Sequence, residues 1–211
     1  MTLQEIDIPF NCRFTCWFCS EGSHQVIITK IQTAEQAYPA NVPICDECKS
    51  YQCHQNISSL KRIKALIKEK IVSRYAKELS IGANWTEQEL EESDLNGSAF
   101  DGFKKSAWPM YLIAKARLNY EGWPLAIGGI TLEDILLDEK FEFDGLSFTS
   151  LTLMLDYLSK SFRLNKEFLR RVLVIYGNDK AIKAVKFCRL LLNNSEYQRE
   201  NAITDLIKSL R

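Results

Sequence analysis

Two Cys-x-x-Cys pairs, Cys16 with Cys19 and Cys45 with Cys48, lie about 25 residues apart near the start of the chain. Each pair can present two thiolates from one tight turn, and two such pairs supply the four soft ligands of a tetrahedral Zn²⁺ site. Because four cysteines fill the coordination shell, no position remains for water or substrate. We therefore predict one Zn²⁺ ion with a structural rather than a catalytic role.

The alternatives to a metal site are a disulfide framework, a redox pair or simple burial of the cysteines. Six of the seven cysteines fall within the first 53 residues, a clustering that chance burial does not favour. Disulfide frameworks are typical of small secreted chains, whereas residues 1–10 lack the basic and apolar regions of a signal peptide. No βαβ pattern of a thioredoxin-like redox site surrounds either pair. We expect a cytoplasmic zinc protein, with Cys12, Cys53 and His54 as alternative ligands near the site.

The residues around the two pairs resemble the N-terminal zinc-binding domain of the ClpX protein unfoldase over about residues 12–57. The matching segments are Cys16-Trp17-Phe18-Cys19, His24-Gln25-Val26 and Ile44-Cys45-Asp46-Glu47-Cys48. The resemblance implies a treble-clef fold, four thiolate ligands, a structural role for His24, and a small domain that dimerises and binds adaptor or substrate proteins. The sequence contains no Gly-x-x-x-x-Gly-Lys-Ser/Thr phosphate loop, so the ATPase activity of that family is not expected.

Hydrophobic periodicity predicts the elements that position these ligands. Ile6, Ile8 and Phe10 alternate as in a half-buried strand before the first pair, and residues 26–29 are typical of the first arm of a hairpin. Apolar residues then recur at three- and four-residue steps, which predicts a helix over residues 57–79.

The rest of the chain is predicted to be largely helical. Signals for helix N-termini occur at the capping boxes Thr86-x-x-Glu89 and Ser195-x-x-Gln198, at Asn165, and at Ser106 followed by Pro109. Phe141 and Phe143 predict a short strand, and Gly177 predicts a break between two helices.

The predicted fold class is mainly α. It comprises a small N-terminal treble-clef zinc module, made of a β-hairpin plus a helix, joined to an α-helical domain. We place the zinc-binding module at residues 1–57, a basic connecting helix at 58–80, and the α-helical domain at 81–211.

Charge is segregated along the chain, although 27 basic and 27 acidic residues cancel overall. The candidates for phosphate contacts in the connecting helix are Lys61, Arg62, Lys64, Lys68 and Arg74. Lys and Arg clustered along one helix face indicate nucleic-acid binding, but a solvated face or one docked on the acidic stretch 87–101 would show the same pattern.

A second basic set follows the break at Gly177. It consists of Lys180, Lys183, Lys186 and Arg189. The helices on either side of Gly177 can be interpreted as a helix-turn-helix with these residues facing outward. Helical bundles use similar short turns, so an ordinary bundle is the alternative.

No catalytic motif stands out in the sequence. An HNH-type nuclease would also build on a treble clef, but the two histidines, His24 and His54, are not part of a recognisable His-plus-Asn arrangement. No apolar run approaches the length of a membrane span. We therefore predict a non-enzymatic zinc protein that recognises or regulates another protein and forms a homodimer through its zinc domain. The alternative is a nucleic-acid-binding regulator that uses the basic helix 61–77.

Overall fold

The structure is a computed structural model that describes residues 4–32, 37–52, 59–94, 97–132 and 140–210. The chain forms two compact units, residues 1–139 and 140–211. The predicted domain boundaries at residues 57 and 80 both fall inside the first unit. None of the helices in the described ranges has the length and apolar character needed to cross a bilayer.

In the described residues, the first unit begins with strands, continues with helices and then forms a second, short hairpin, and the second unit contains one hairpin and four α-helices. The strands are β1 (Gln4–Glu5), β2 (Gln25–Gln32), β3 (Ala37–Ile44), β4 (Ala126–Ile127), β5 (Ile130–Thr131), β6 (Phe141–Phe143) and β7 (Leu146–Phe148). The α-helices are α1 (Asp46–Gln52), α2 (Leu60–Arg74), α3 (Ala76–Asn84), α4 (Glu87–Glu91), α5 (Ser98–Asn119), α6 (Leu151–Ser161), α7 (Lys166–Tyr176), α8 (Ala181–Leu190) and α9 (Glu196–Ser209). The predicted fold class is confirmed: the described chain is mainly helical and carries a β-hairpin followed by a helix near its N-terminus.

The β2–β3 hairpin brings the two cysteine pairs together. Its antiparallel register pairs Gln25 with Ile44 at one end and Gln32 with Ala37 at the other. Gln25 follows the first cysteine pair and Ile44 directly precedes the second, so pairing these two residues places both cysteine turns at the same end of the sheet. Strand β1 joins β3 in parallel, which gives the strand order β1-β3-β2.

The predicted strand over Ile6, Ile8 and Phe10 is wrong. Pairing with β3 stops at Glu5, and Phe10 opens a short 3₁₀ turn. Beyond β1 the backbone finds other partners, since the N–H of Asp7 donates to the carbonyl oxygen of Ala126 at 2.7 Å. The alternating apolar residues therefore continue beyond the last residue of the strand, Glu5.

The helix predicted over residues 57–79 is present but divided. Apolar residues at the predicted spacing form its buried stripe, including the fully buried Ile63, Ile67 and Ile71. The backbone leaves helical geometry at Tyr75, where α2 ends and α3 begins. The predicted start at residue 57 lies outside the described residues.

The helix start predicted at Ser106 is also wrong. Helix α5 begins eight residues earlier, at Ser98, and runs through Pro109 to Asn119. Ser106 donates its hydroxyl to the carbonyl oxygen of Gly102, one turn back, instead of capping a new helix. An interior proline removes one backbone donor and costs a helix about 3 kcal/mol. Helix α5 nevertheless continues through Pro109, with Ala107 and Tyr111 buried on either side of it.

The second unit confirms most of its predicted local signals. Strand β6 pairs with β7 through a turn in which Asp144 and Gly145 both adopt left-handed backbone angles. Asn165 caps α7 by accepting the N–H of Phe168 at 2.9 Å, and Ser195 forms a complete capping box at the start of α9.

Candidate metal centre

The four predicted ligands form one compact cluster. The Sγ atoms of Cys16, Cys19, Cys45 and Cys48 all lie within 4.8 Å of one another, and all four residues are buried. The Sγ atoms of Cys19 and Cys45 are 3.6 Å apart. That separation is far longer than a disulfide bond of about 2.05 Å. It is close to the edge of about 3.8 Å in a sulfur tetrahedron with metal–sulfur bonds of about 2.3 Å. The cluster therefore fits one metal ion.

Short backbone contacts hold the first cysteine turn against the hairpin. The N–H of Trp17 donates to the carbonyl oxygen of Pro43 on β3 at 3.0 Å, which ties the first pair to the strand that leads to the second. The N–H of Ser20 closes the turn onto the carbonyl oxygen of Cys16 at 3.1 Å. Ser20 has a φ of 66°, the left-handed region that a tight turn after the pair requires.

The second cysteine turn is the beginning of α1. Cys45 directly precedes the helix and Cys48 lies in its first turn. The backbone N–H of Cys48 points at the sulfur of Cys45, with a donor–acceptor distance of 3.4 Å. An N–H directed at a thiolate stabilises the negative charge that a metal ligand must carry.

Arg117 on α5 is a site residue that sequence reasoning missed. It is only 4% exposed, and its guanidinium lies 3.6 Å from the sulfur of Cys19 and 2.6 Å from a carboxylate oxygen of Glu47. It also donates to the hydroxyl of Tyr75. Four thiolates around a divalent cation leave a net charge of about −2. A buried guanidinium beside them offsets part of that charge.

Glu47 connects Arg117 to the helix that carries the second pair. Burial opposes ionisation of its carboxyl, but hydrogen bonds from Tyr51 and Arg117 outweigh burial and hold the pKa of Glu47 below its ordinary value. The same carboxylate accepts the hydroxyl of Tyr51 at 2.6 Å. An ionised Glu47 therefore keeps Arg117 directed at the cluster.

Lys68 supports the helix that carries Arg117. The side chain is 2% exposed, and its ammonium donates to the carbonyl oxygens of Arg117 at 2.8 Å and Tyr120 at 2.6 Å. These carbonyls lie at the C-terminal end of α5, where the helix supplies no further N–H donors. Burial lowers the pKa of Lys68 to about 7, and the nearby cysteine thiolates act in the opposite direction.

The predicted phosphate-contacting residues of α2 divide into two groups. Three of them are exposed: Lys61, Arg62 and Arg74. Lys68 is buried, contrary to the expectation of an outward basic face, and Lys64 is half-buried. Lys64 donates to the carbonyl oxygen of Glu121 at 3.1 Å and lies 5.1 Å from the ring centre of Trp17. The helix uses these two lysines for its own packing.

The other residues considered for the site lie outside the cluster or outside the described chain. Cys12 is half-buried and does not join the four sulfurs. His24 is exposed, with its ring 6.2 Å from that of Phe14. Cys53 and His54 lie outside the described residues. Among residues that the structure describes, the four cysteines are the one group with the geometry of a metal site.

Comparison of the chain with protein-family models, with curated proteins and with solved structures finds no significant match. The resemblance to the ClpX zinc-binding domain therefore stays a prediction, carried by the residues of the two cysteine pairs. The geometry itself establishes four buried cysteines that could hold one metal ion.

Proposed function

We propose that this protein is a non-enzymatic, zinc-stabilised protein-recognition module that self-associates through its N-terminal part. The observation that carries the proposal is the cluster of four buried sulfurs within 4.8 Å of one another. Four thiolates complete a tetrahedral shell, so the ion has no open position at which to activate water or bind substrate. A closed site of this kind contributes folding free energy rather than chemistry.

Zinc is the metal that this ligand set favours. A tetrahedral set of four thiolates suits Zn²⁺ or iron, and Zn²⁺ has no redox chemistry to disturb a structural site. The hairpin supplies one pair and the first turn of α1 supplies the other. This arrangement supports the treble-clef assignment.

The metal is tested by elemental analysis of the purified protein. We expect one zinc per chain, lost from the variant Cys19→Ser, with no visible absorption from iron–thiolate charge transfer. An iron content equal to the protein concentration would contradict zinc. Full-length protein that folds identically with and without any metal would contradict a structural metal altogether.

An exposed apolar surface on the zinc module supports recognition of a protein. We define it as the apolar strand face, formed by Phe14, Val26 and Ile28, which are 71%, 52% and 65% exposed. Val26 and Ile28 point outward from β2 while Ile27 between them is buried, as the two-residue period of a strand requires. Phe14 lies against His24, just before the strand.

A second copy of the chain is the occupant that we propose for the apolar strand face. Strand β2 is at the edge of its sheet, and a two-fold interface brings the same patch of both copies together. None of these three side chains carries a charge, and the nearest exposed charge on the same side of β2 is Lys30, two residues beyond Ile28. Dimerisation is also what the resemblance to the ClpX domain implies.

Sedimentation velocity over a concentration series tests this self-association. We expect a monomer–dimer equilibrium for the full chain and a shift to monomer in the double variant Val26→Ser, Ile28→Ser. Val174→Ser is the matched control, because Val174 in the second unit is a valine that is even more exposed, at 74%. A chain that stays monomeric at all concentrations, or a double variant that dimerises like the parent, would refute the proposed dimer.

A further inference from the structure

We propose that the outward face of α8 in the second unit binds the phosphate backbone of a nucleic-acid duplex. This surface goes beyond the self-association proposed above and lies on a different helix from the basic residues of α2. Its cations are Lys180, just before α8, and Lys183, Lys186 and Arg189 within it. All four are exposed.

No ion pair within the described residues offsets this positive charge, and the nearest acidic residue along the chain is Asp179, beside Lys180. Helix α8 contains no acidic residue, and none of the four cations forms an ion pair with any residue that the structure describes. By contrast, Lys166 on α7 pairs with Asp156 at 2.5 Å and Arg171 pairs with Glu200. An ordinary solvated helix face mixes both signs of charge, so the uniform sign on α8 favours a polyanionic partner.

The buried side of α8 fixes which way these cations point. Ala181, Ala184, Val185 and Cys188 pack into the core of the unit. Lys183 and Lys186 lie on the opposite side, and Arg189 flanks them with its guanidinium 5.5 Å from the ring centre of Phe162. A helix of ten residues is about 15 Å long and about 10–12 Å wide, dimensions that fit the major groove of about 12 Å.

The whole second unit has the charge that such a partner requires. Residues 140–211 contain 13 basic and 8 acidic residues, a net charge of about +5, whereas residues 1–139 contain 14 basic and 19 acidic residues, about −5. The net charge of the whole chain is zero, but the second unit by itself is cationic. A duplex carries one negative charge per about 1.7 Å of its axis, a dense charge that a row of cations without carboxylates can match.

The connection before α8 has the length and the glycine of a helix-turn-helix connection. Helix α7 ends at Tyr176, Gly177 leaves helical geometry with a φ of 97°, and α8 begins at Ala181. Residues 178–180 of this connection form one 3₁₀ turn. In a helix-turn-helix, a connection of three to four residues that often contains glycine leads into the helix that meets the DNA groove.

Fluorescence anisotropy with a mixed-sequence DNA duplex of about 20 base pairs tests the proposal in the full chain. Four phosphate contacts predict a slope of about −3.6 in the plot of log affinity against log salt, which is a loss of about 150-fold between 50 and 200 mM salt. The triple variant Lys183→Gln, Lys186→Gln, Arg189→Gln should flatten the slope to about −0.9, so that its affinity falls only about 3.5-fold between 50 and 200 mM salt. Because the three side chains are exposed, its circular dichroism should match that of the parent.

Two control variants locate the effect on α8. Lys208→Gln removes an exposed lysine of the same unit that pairs with Asp205, and Lys61→Gln with Arg62→Gln removes exposed cations of α2. Both should retain the parental slope. If the triple variant were unfolded, the single variants Lys183→Gln and Lys186→Gln would serve, each reducing the slope by about one.

Three results would overturn the proposal. They are no binding of the parent at 50 mM salt, an unchanged slope in a folded triple variant, and equal affinity for polyglutamate or for vesicles of anionic lipid. Equal affinity for those probes would identify an acidic protein or a membrane surface as the partner. The outcome is independent of self-association, since the substitutions that test the apolar strand face lie in the first unit.

Discussion

Replacing Arg117 with methionine should weaken zinc binding without removing any ligand. Methionine retains most of the side-chain volume, so the change chiefly removes a charge and its hydrogen bonds. The lost contacts are those to the sulfur of Cys19, the carboxylate of Glu47 and the hydroxyl of Tyr75, together with an ion pair to Glu21 at 3.7 Å. A hydrogen bond to a charged group contributes about 1.5–3 kcal/mol. Because the Glu47 side chain is 33% exposed, water replaces part of what that residue loses.

The expected loss in affinity is about 10–100-fold, the range found when residues that support metal ligands are removed. This range corresponds to about 1.4–2.8 kcal/mol. Competition with a chelating indicator measures it on the full chain. Lys105→Met, an exposed cation on the same helix, is the matched control and should bind zinc like the parent. Arg117→Lys should recover only part of the loss, because an ammonium cannot reproduce the guanidinium fork. A zinc affinity of the folded Arg117→Met variant within twofold of the parent would refute the reasoning.

Three further results are expected. Chelation of the metal should abolish hydrogen-exchange protection of β2 and β3 while protection in α6–α9 persists. The reason is that the free energy of zinc binding, about 10–16 kcal/mol, contributes directly to the folding of the module. Retained protection in the hairpin would contradict this. Gly82→Ala should lower the free energy of unfolding, measured by denaturant titration, by about 1–3 kcal/mol, because its new Cβ would lie 2.2 Å from the ring of Tyr111. In Gly102→Ala the new Cβ meets nothing within 4 Å, so this control should raise the free energy of unfolding by up to about 1 kcal/mol. Cys188 should resist iodoacetamide in the native protein, because burial raises the pKa of its thiol to about 12, while the half-exposed Cys12 reacts; mass spectrometry of the alkylated chain distinguishes the two.

Local chemistry made the metal centre predictable from the sequence. Two Cys-x-x-Cys pairs carry their own geometry, and the strand-like residues between them predict the hairpin that joins them. The capping box at Ser195 was predictable for the same reason, since its partner Gln198 is three residues away. Both signals depend only on residues close together in the chain, and at these positions the tertiary packing does not override them.

The residues that support the centre depend on contacts between distant segments. Arg117 lies 98 residues from Cys19, and no local pattern links them. The sequence does contain one indication that Arg117 is buried. It follows Tyr111 and Ala114 at three-residue steps, which places all three on one face of α5, and that face is the buried one. The sequence predicts Lys68 on an exposed face. Its ammonium is instead buried, because it donates to backbone carbonyl oxygens at the C-terminal end of α5. Pro109 was interpreted as a helix start because the sequence does not reveal the packing that carries α5 through it.

The register of the β2–β3 hairpin also decides whether the four cysteines can share one metal ion. A slip of one residue would displace the second cysteine turn by about 3.4 Å relative to the first. Metal–sulfur distances tolerate only about 0.2 Å. A chain that pairs Gln25 with any residue other than Ile44 therefore cannot close the tetrahedron. A metal ion held by all four cysteines would therefore stabilise only the hairpin in which Gln25 pairs with Ile44. A misaligned hairpin would lose the free energy of metal binding.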